Sequence, residues 1–472
     1  MSYHPGMIQS ALRRCVTGPG VRSGLPLALA LFASCGGSEP PDERSSEGSG
    51  ESGAVQGRPN IVLIVIDTLR ADHLGLYGYP DETAPFLAKL GAQSAVFERT
   101  FSSSSWTAPA TASVMTGLYP TRHGLTRGFF AQQAAEDAVQ QGGMGSVEVT
   151  PLSQNVETLA ESLERAGWAT RGFATNRNVC DELGLSRGFA GFILEYFDAQ
   201  QVFEVVSGWQ PILEKAEPYF LYLHFNDVHR PYTPRSPWYE PAQNELDETV
   251  ERYDSEISFL DSALERLYEV YGWDHNTLLW LVSDHGEEFQ DHGAWGHTFS
   301  LHQELVHVLM LAHGPDLGIA PARIDVNTSL VDVYPTLLDF VGVPPAAGCD
   351  GLSLKALLSG DEAAAADLRE RVLFAHRQRA GSPPQIWAAL LGDYKLIERD
   401  DGVEPLLFNF ALDPGERQNV LEANAPMAEI LGEQLERFRA ETAGSSPSEG
   451  IDVPIDRKAL EELKALGYFG ED

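Results

Sequence analysis

Three observations predict an α/β fold with a mostly parallel central sheet. First, the runs Ile61–Ile66 (IVLIVI), Tyr219–Phe225 (YFLYLHF) and Thr277–Val282 (TLLWLV) are almost continuously apolar, as strands buried on both faces are. Second, each run stops in a polar cluster: Asp67-Thr68-Leu69-Arg70, Asn226-Asp227-Val228-His229 and Ser283-Asp284-His285-Gly286. Third, helical patterns lie between them. In Glu251–Gly272, the residues Tyr253, Ile257, Leu260, Leu264, Leu267 and Tyr271 recur at steps of four and three, which is a core-facing stripe. Ligand sites in such sheets lie beyond the carboxyl ends of the strands, so the polar clusters are where chemistry is expected.

Taken in order, the chain opens with an export signal over residues 1–35. Arg13, Arg14 and Arg22 precede the apolar core Gly24–Ala33, which is too short to remain as a spanning helix. Phe32-Ala33-Ser34-Cys35 resembles a bacterial lipobox, with Cys35 as the lipidated residue; an ordinary cleaved signal is the alternative. Residues 36–57 are rich in Gly, Ser, Glu and Pro and are expected to be a disordered tether. The expected location is the bacterial cell envelope, with a lipid on Cys35 as the membrane contact. Net charge is −35, from 68 acidic and 33 basic residues, which excludes nucleic acid as a partner. With 43% hydrophobic residues, the 472-residue chain can build a large core. Cys180 and Cys349 show no metal-ligand spacing, and a disulfide between them stays open.

Beyond the first strand, Thr83–Gln93 reads as a helix and Ala95–Ser102 as a strand. Residues 129–150 have no clean period and read as a loop or insertion. Asn155–Gly167 reads as a helix, Ala169–Thr175 as a strand, and a fourth core strand is entered at 303–310. Ser329–Val343 reads as the helix that closes a large domain over residues 58–345. Residues 346–472 change character: Arg371–Ala375, Ile386–Leu391 and Asp393–Glu398 read as a small antiparallel sheet. Helices at Met427–Glu441 and Ala459–Leu466 follow.

The stretch Phe101–Gly124 carries the chemistry. Pro109 fits the first turn of a helix, which puts Thr107 at its N-cap, where free N–H groups attract an anion. The tail Thr116-Gly117-Leu118-Tyr119-Pro120-Thr121-Arg122-His123-Gly124 resembles the nucleophile motif of the sulfatases, C/S-x-P-S-R followed by T-G-x-Y-P-x-x-H-G. Three further segments resemble the same family: PNIVLIVIDTLRADHLGLYGY, Asn226–Tyr232 and SDHGEEFQDHG. Two positions depart from the motif. Thr107 stands where a Cys or Ser is oxidised to formylglycine, and Thr111 stands at the motif's arginine. Thr68 also replaces a second metal-binding Asp. The wider alkaline-phosphatase superfamily contains members with an unmodified Thr nucleophile.

The resemblance implies an alkaline-phosphatase-like three-layer sandwich with a small C-terminal α+β subdomain over 346–472. It implies one divalent metal (Ca, Mn, Mg or Zn) held by Asp67, Thr107, Asp284 and His285. A second metal on Asp227, His229 and His297 is the alternative. Thr107 would be the nucleophile, with His229 and His297 acting on the transferring group or the leaving oxygen, and His123 and Lys395 touching substrate. His224 reads as a packed core histidine, and His302 and His307 as structural. The expected activity is hydrolysis of sulfate or phosphate esters of a small molecule, lipid or glycan. A group transferase of the same fold and a non-catalytic glycan-binding lipoprotein are the alternatives.

Overall fold

The computed structural model describes residues 58–378, 384–444 and 448–469. The expected signal, Cys35 and tether lie outside the described residues. The apolar runs pair as a sheet of eight strands: β1 (Asn60–Ile66), β2 (Ala95–Phe97), β3 (Ala169–Ala174), β4 (Gly191–Leu194), β5 (Tyr219–Phe225), β6 (Thr277–Ser283), β7 (Met310–His313) and β8 (Ala322–Ile324). Their order across the sheet is β8-β2-β7-β6-β1-β5-β3-β4. Only β7 runs antiparallel to its neighbours; every other pair is parallel. The three most apolar runs are therefore the adjacent strands β5, β1 and β6, and every residue of each is buried.

Helices cover both faces, as the two-sided burial of those strands requires. On one face α1 (Thr107–Thr116) packs with Leu159–Arg165 and Val333–Phe340 over Ile61, Leu63, Val65, Phe220, Tyr222 and Trp280. On the other, α2 (Glu245–Tyr271) packs with Pro85–Gly91 and Ala199–Ser207. The helix α2 begins eight residues before its apolar stripe opens at Tyr253. Asn244 caps it by accepting from the Asp247 N–H, and Gly272 ends it in the left-handed region.

A four-stranded antiparallel sheet follows, built from Leu373–Arg377, Ile386–Leu391, Tyr394–Arg399 and Leu406–Asn409. Residues 129–150 are not simply a loop. They hold the helix Gln133–Gln140 and the strand Gly145–Val149. That strand alternates buried and exposed residues, and it pairs antiparallel with Ile451–Ile455. Five residues are too few to reveal a period of two without the distant partner strand. The helix α3 (Arg457–Ala465) leads to Gly467, whose φ of +77° turns the chain inward.

Candidate active site

Sheet register decides which polar side chains meet. Ile66 of β1 lies opposite Phe225 of β5 on one side and Ser283 of β6 on the other. Asp67 and Asp284 therefore leave the sheet side by side. The Asp67 N–H donates to the Phe225 carbonyl (2.9 Å) and the Asp284 N–H to that of Ile66 (3.3 Å). On β5, His224 pairs with Val65. Phe220 and Tyr222 face the α1 side, and the period of two sends His224 the same way.

Thr107 is the first helical residue of α1, and Trp106 in extended geometry is its N-cap. The sequence reading placed Thr107 one residue earlier, at the N-cap. The shift matters because the hydroxyl makes no cap bond and faces the carboxylates. Thr107 Oγ1 lies 3.4 Å from both oxygens of Asp67 and 3.3 Å from His285 Nε2. Thr68, between Asp67 and the following loop, has φ +56°, an unfavourable state for a β-branched residue. Its N–H donates to Asp284 Oδ1 (3.3 Å) and its carbonyl accepts from the Tyr253 hydroxyl (2.8 Å).

Electrostatically the cluster is unbalanced. Asp67, Asp284 and His285 are fully buried. Burial, and then the Asp284 charge, push the Asp67 carboxyl well above its ordinary range. Burial pushes Asp284 up to about 8, against the N–H donors of His285 and Thr68. Among the described residues, Asp284 Oδ2 and both ring nitrogens of His224 have no hydrogen-bond partner. His224 Nε2 lies 4.0 Å from Asp67 Oδ2 and from Asp284 Oδ2. One ligand atom each from Asp67, His224 and Asp284 lie within 4.8 Å of one another. His285 Nδ1 is engaged by the Gly286 carbonyl at 2.8 Å, which leaves the Nε2 lone pair facing Asp67 Oδ1 at 3.4 Å. Two carboxylates and two imidazoles converging without a counter-charge are a donor set for a divalent cation. His224, expected to be a core histidine, is buried as expected, and among the described residues its ring nitrogens have no other partner than the carboxylates they face.

A second group of side chains lies over Thr107. His229 Nδ1 bonds the Arg230 carbonyl (2.7 Å), so its Nε2 carries the lone pair. Burial, and then His297, push this imidazole down to about 3. His297 Nδ1 bonds Glu287 Oε1 (2.8 Å), and Tyr232 donates to the other Glu287 oxygen (2.7 Å). Burial opposes charge on Glu287, but His297 holds its carboxyl below the usual range. The ring centroids of His229 and His297 are 5.0 Å apart, and those of His285 and His297 4.6 Å.

Two participants escaped the sequence reading. Asn176, just past β3, donates to Asp67 Oδ2 at 2.6 Å. Tyr468 places its hydroxyl 3.1 Å from Thr107 Oγ1 and 3.2 Å from His229 Nε2. The position of Asn176 beyond an apolar strand was a usable signal. Tyr468 is 361 residues from Thr107, and nothing local marks it.

Two expected substrate contacts are corrected. His123 is buried, with Nε2 on the Pro109 carbonyl (3.2 Å) and Nδ1 accepting the Leu125 N–H (3.1 Å). It ties the short helix Pro120–His123 back to the start of α1. Lys395 is fully buried, 2.8 Å from Glu416 Oε1 and 2.9 Å from the Leu301 carbonyl, so its charge is used within the fold. His302 and His307 also bond within the protein, to Glu416 and to the Glu98 carbonyl. Asp227, a ligand in the two-metal alternative, instead accepts the Ala199 N–H (2.8 Å) beside Arg235. A cavity of about 250 Å³ adjoins the site, and its lining includes Trp106, Phe129, Phe130, Thr298 and Tyr468.

The family model described as Sulfatase matches residues 59–343. Choline-sulfatase of Rhizobium meliloti (strain 1021) is 25% identical over 84% of this chain and 89% of its own length. Arylsulfatase K of Danio rerio is 30% identical over 195 residues, 41% of this chain, and the match spans only 36% of that relative. In fold, the chain is similar to the phosphonate monoester hydrolase of Agrobacterium radiobacter. That likeness has a TM-score of 0.65 at 18% identity, over 85% of this chain and 100% of the other.

Proposed function

Because the chain belongs to the sulfatase family, we propose that it is a hydrolase of anionic esters that uses Thr107 as nucleophile and prefers phosphorus to sulfur esters. The observation that carries this reading is the Thr107 hydroxyl, set among Asp67, His285 and His229's neighbour Tyr468 with no role in capping its helix. The relatives' names support ester hydrolysis.

Asp67, His224, Asp284 and His285 would hold a divalent cation. When bound, it would supply positive charge that lowers the cost of a threonine alkoxide and of an anionic ester. Thr107 Oγ1 would form a bond to phosphorus as the ester oxygen leaves. His229 Nε2, neutral and carrying a lone pair, would take the proton released by the Thr107 hydroxyl and return it to the departing ester oxygen. His297, oriented by Glu287, is the group placed to stabilise charge on the transferring oxygens. Asn176 holds Asp67 in orientation. Water would then cleave the threonine ester.

Phosphorus is preferred on chemical grounds. A formylglycine hydrate has a second hydroxyl that expels sulfate by breaking its own carbon–oxygen bond; threonine has none. A threonine phosphoester is cleared by an ordinary second displacement at phosphorus. The test compares 4-nitrophenyl phosphate, bis(4-nitrophenyl) phosphate, a phenylphosphonate ester and 4-nitrophenyl sulfate, on wild type and Thr107→Ala. The expected result is turnover of at least one phosphorus ester above the sulfate, and loss of all turnover in Thr107→Ala. Faster aryl sulfate cleavage, or an active Thr107→Ala, overturns the reading.

A further inference from the structure

The group over Thr107 is occupied by the protein itself. The Tyr468 hydroxyl lies within hydrogen-bond distance of Thr107 Oγ1 (3.1 Å), His229 Nε2 (3.2 Å) and Asn176 Nδ2 (3.2 Å). His229 Nε2 is an acceptor and Asn176 Nδ2 a donor, so the phenol donates to the first and accepts from the second. That position, between the nucleophile and the histidine above it, is where an anionic group must sit for Thr107 to attack it. Thr107 is 0% exposed and Tyr468 4%. Tyr468 also forms part of the wall of the adjoining cavity, beside Trp106 and Thr298. No substrate reaches Thr107 while this phenol stays in place.

Among the described residues, the segment that delivers Tyr468 is held by the Gly467 N–H on the Lys464 carbonyl (3.1 Å), by the Lys464 ammonium over the Phe469 ring and by two backbone bonds of Tyr468. The Tyr468 carbonyl accepts the Ala131 N–H (2.8 Å), and the Tyr468 N–H donates to Leu463 (2.8 Å). Gly467 turns the chain at φ +77°, and a Cβ there would lie 2.8 Å from the Arg230 guanidinium. The left-handed φ favours glycine at this turn, and the turn places a single aromatic side chain in the site.

We propose that Tyr468 is an intrinsic plug: its hydroxyl fills the seat of the transferred anionic group, and substrate binds by displacing the segment Gly467–Phe469. The seat is the one assigned under the hydrolase reading and rests on it. Anion and phenol then compete for one place. The apparent affinity for an anion is reduced by the fraction of molecules in which the segment is open.

The experiment titrates inorganic phosphate and inorganic sulfate calorimetrically against full-length wild type and Tyr468→Phe, with thermal melting to confirm folding. Tyr468→Phe keeps the ring and removes the hydroxyl's competition, so the dissociation constant of the better-bound anion should fall about tenfold. Hydrogen exchange supplies a second readout. At saturating anion, the Ala131 and Tyr468 amides of wild type should exchange about threefold faster or more. Unchanged or weaker anion binding by Tyr468→Phe overturns the plug. So does unchanged or slower exchange at these two amides, or failure of both anions to bind either protein. Anion binding needs no turnover. An active Thr107→Ala therefore removes the hydrolase reading whatever the titration shows, and an unaltered titration removes the plug alone.

Discussion

Two buried clusters of charged groups invite comparison. Around Lys395, the ammonium meets Glu416 at 2.8 Å, and the other Glu416 oxygen meets His302 and the Gln303 N–H. Burial there would raise the Glu416 carboxyl, yet Lys395 holds it below its ordinary range. Around Asp67, two carboxylates and two imidazoles converge with no Lys or Arg bonded to them among the described residues, and burial drives the carboxyls up. The first cluster is complete in itself and ties the small sheet to the loop at Leu301. The second lacks a positive charge, which is the mark of a site that binds something. Both clusters contain a residue that resemblance to the family marked as functional, and only charge balance separates Lys395 from Asp67.

The comparison breaks most sharply at the carboxylates. Asp67→Ala and Asp284→Ala should each lower kcat/KM on a phosphorus ester by about a thousandfold or more, because each removes charge and a ligand atom together. In metal-free buffer, the same variants should melt no lower than wild type, since each relieves repulsion between buried carboxylates. Steady-state kinetics and thermal melting check the two halves separately. Melting well below the metal-free wild type would mean that the Asp67 cluster is as self-sufficient as the Lys395 cluster.

Lys395→Met should show the opposite. It leaves the buried Glu416 without its ammonium, with only His302 and the Gln303 N–H beside it, at a cost of about 3–5 kcal/mol, and Lys395→Met with Glu416→Leu should regain most of that loss. Chemical denaturation measures both. A single variant as stable as wild type would show that the pair is not a closed unit.

His224→Gln sharpens the boundary of the unbalanced cluster. It should weaken binding of a divalent cation about ten- to a hundredfold, read by competition with a chelator. Unchanged affinity would return His224 to the core.

The smallest effect concerns His123. Burial pushes this imidazole down to about 3, while an unfolded histidine titrates near its ordinary 6.5. The unfolded chain therefore takes up the proton first as pH falls. The stabilisation from neutral His123 is full above about 6.5, declines below it, and is gone once pH falls through the folded value. His123→Gln should flatten the slope of stability against pH between about 6.5 and 3. An unaltered slope in the pH dependence of the melting temperature would contradict the burial assigned to this ring.

What the sequence made legible follows the same division. The convergence of Asp67, Asp284 and His285 was legible because they lie at the ends of neighbouring apolar runs, where the sheet itself brings them together. Thr107 could be read because its motif is local. His224 is buried in its strand as expected, and what the sequence does not show is that the pairing of β5 with β1 sets its ring beside Asp67. His123 and Lys395 matched motif positions, but which atoms surround their polar ends is set by tertiary contacts. Tyr468 reaches the site through a glycine turn and the strand pair of 145–149 with 451–455, and no local pattern encodes that route. The central strands were therefore readable from their apolar runs, whereas the edge strands Gly191–Leu194 and Ala322–Ile324 and the contacts over the site were not.

The central claim is that Asp67, His224, Asp284 and His285 form a single cation site beside Thr107. Elemental analysis of the purified full-length chain, dialysed against metal-free buffer after loading with excess divalent cation, tests it most directly. The account expects about one equivalent per chain in wild type and far less in Asp284→Ala, as for a site that depends on this carboxylate. Two equivalents, none, or undiminished metal in Asp284→Ala would contradict it.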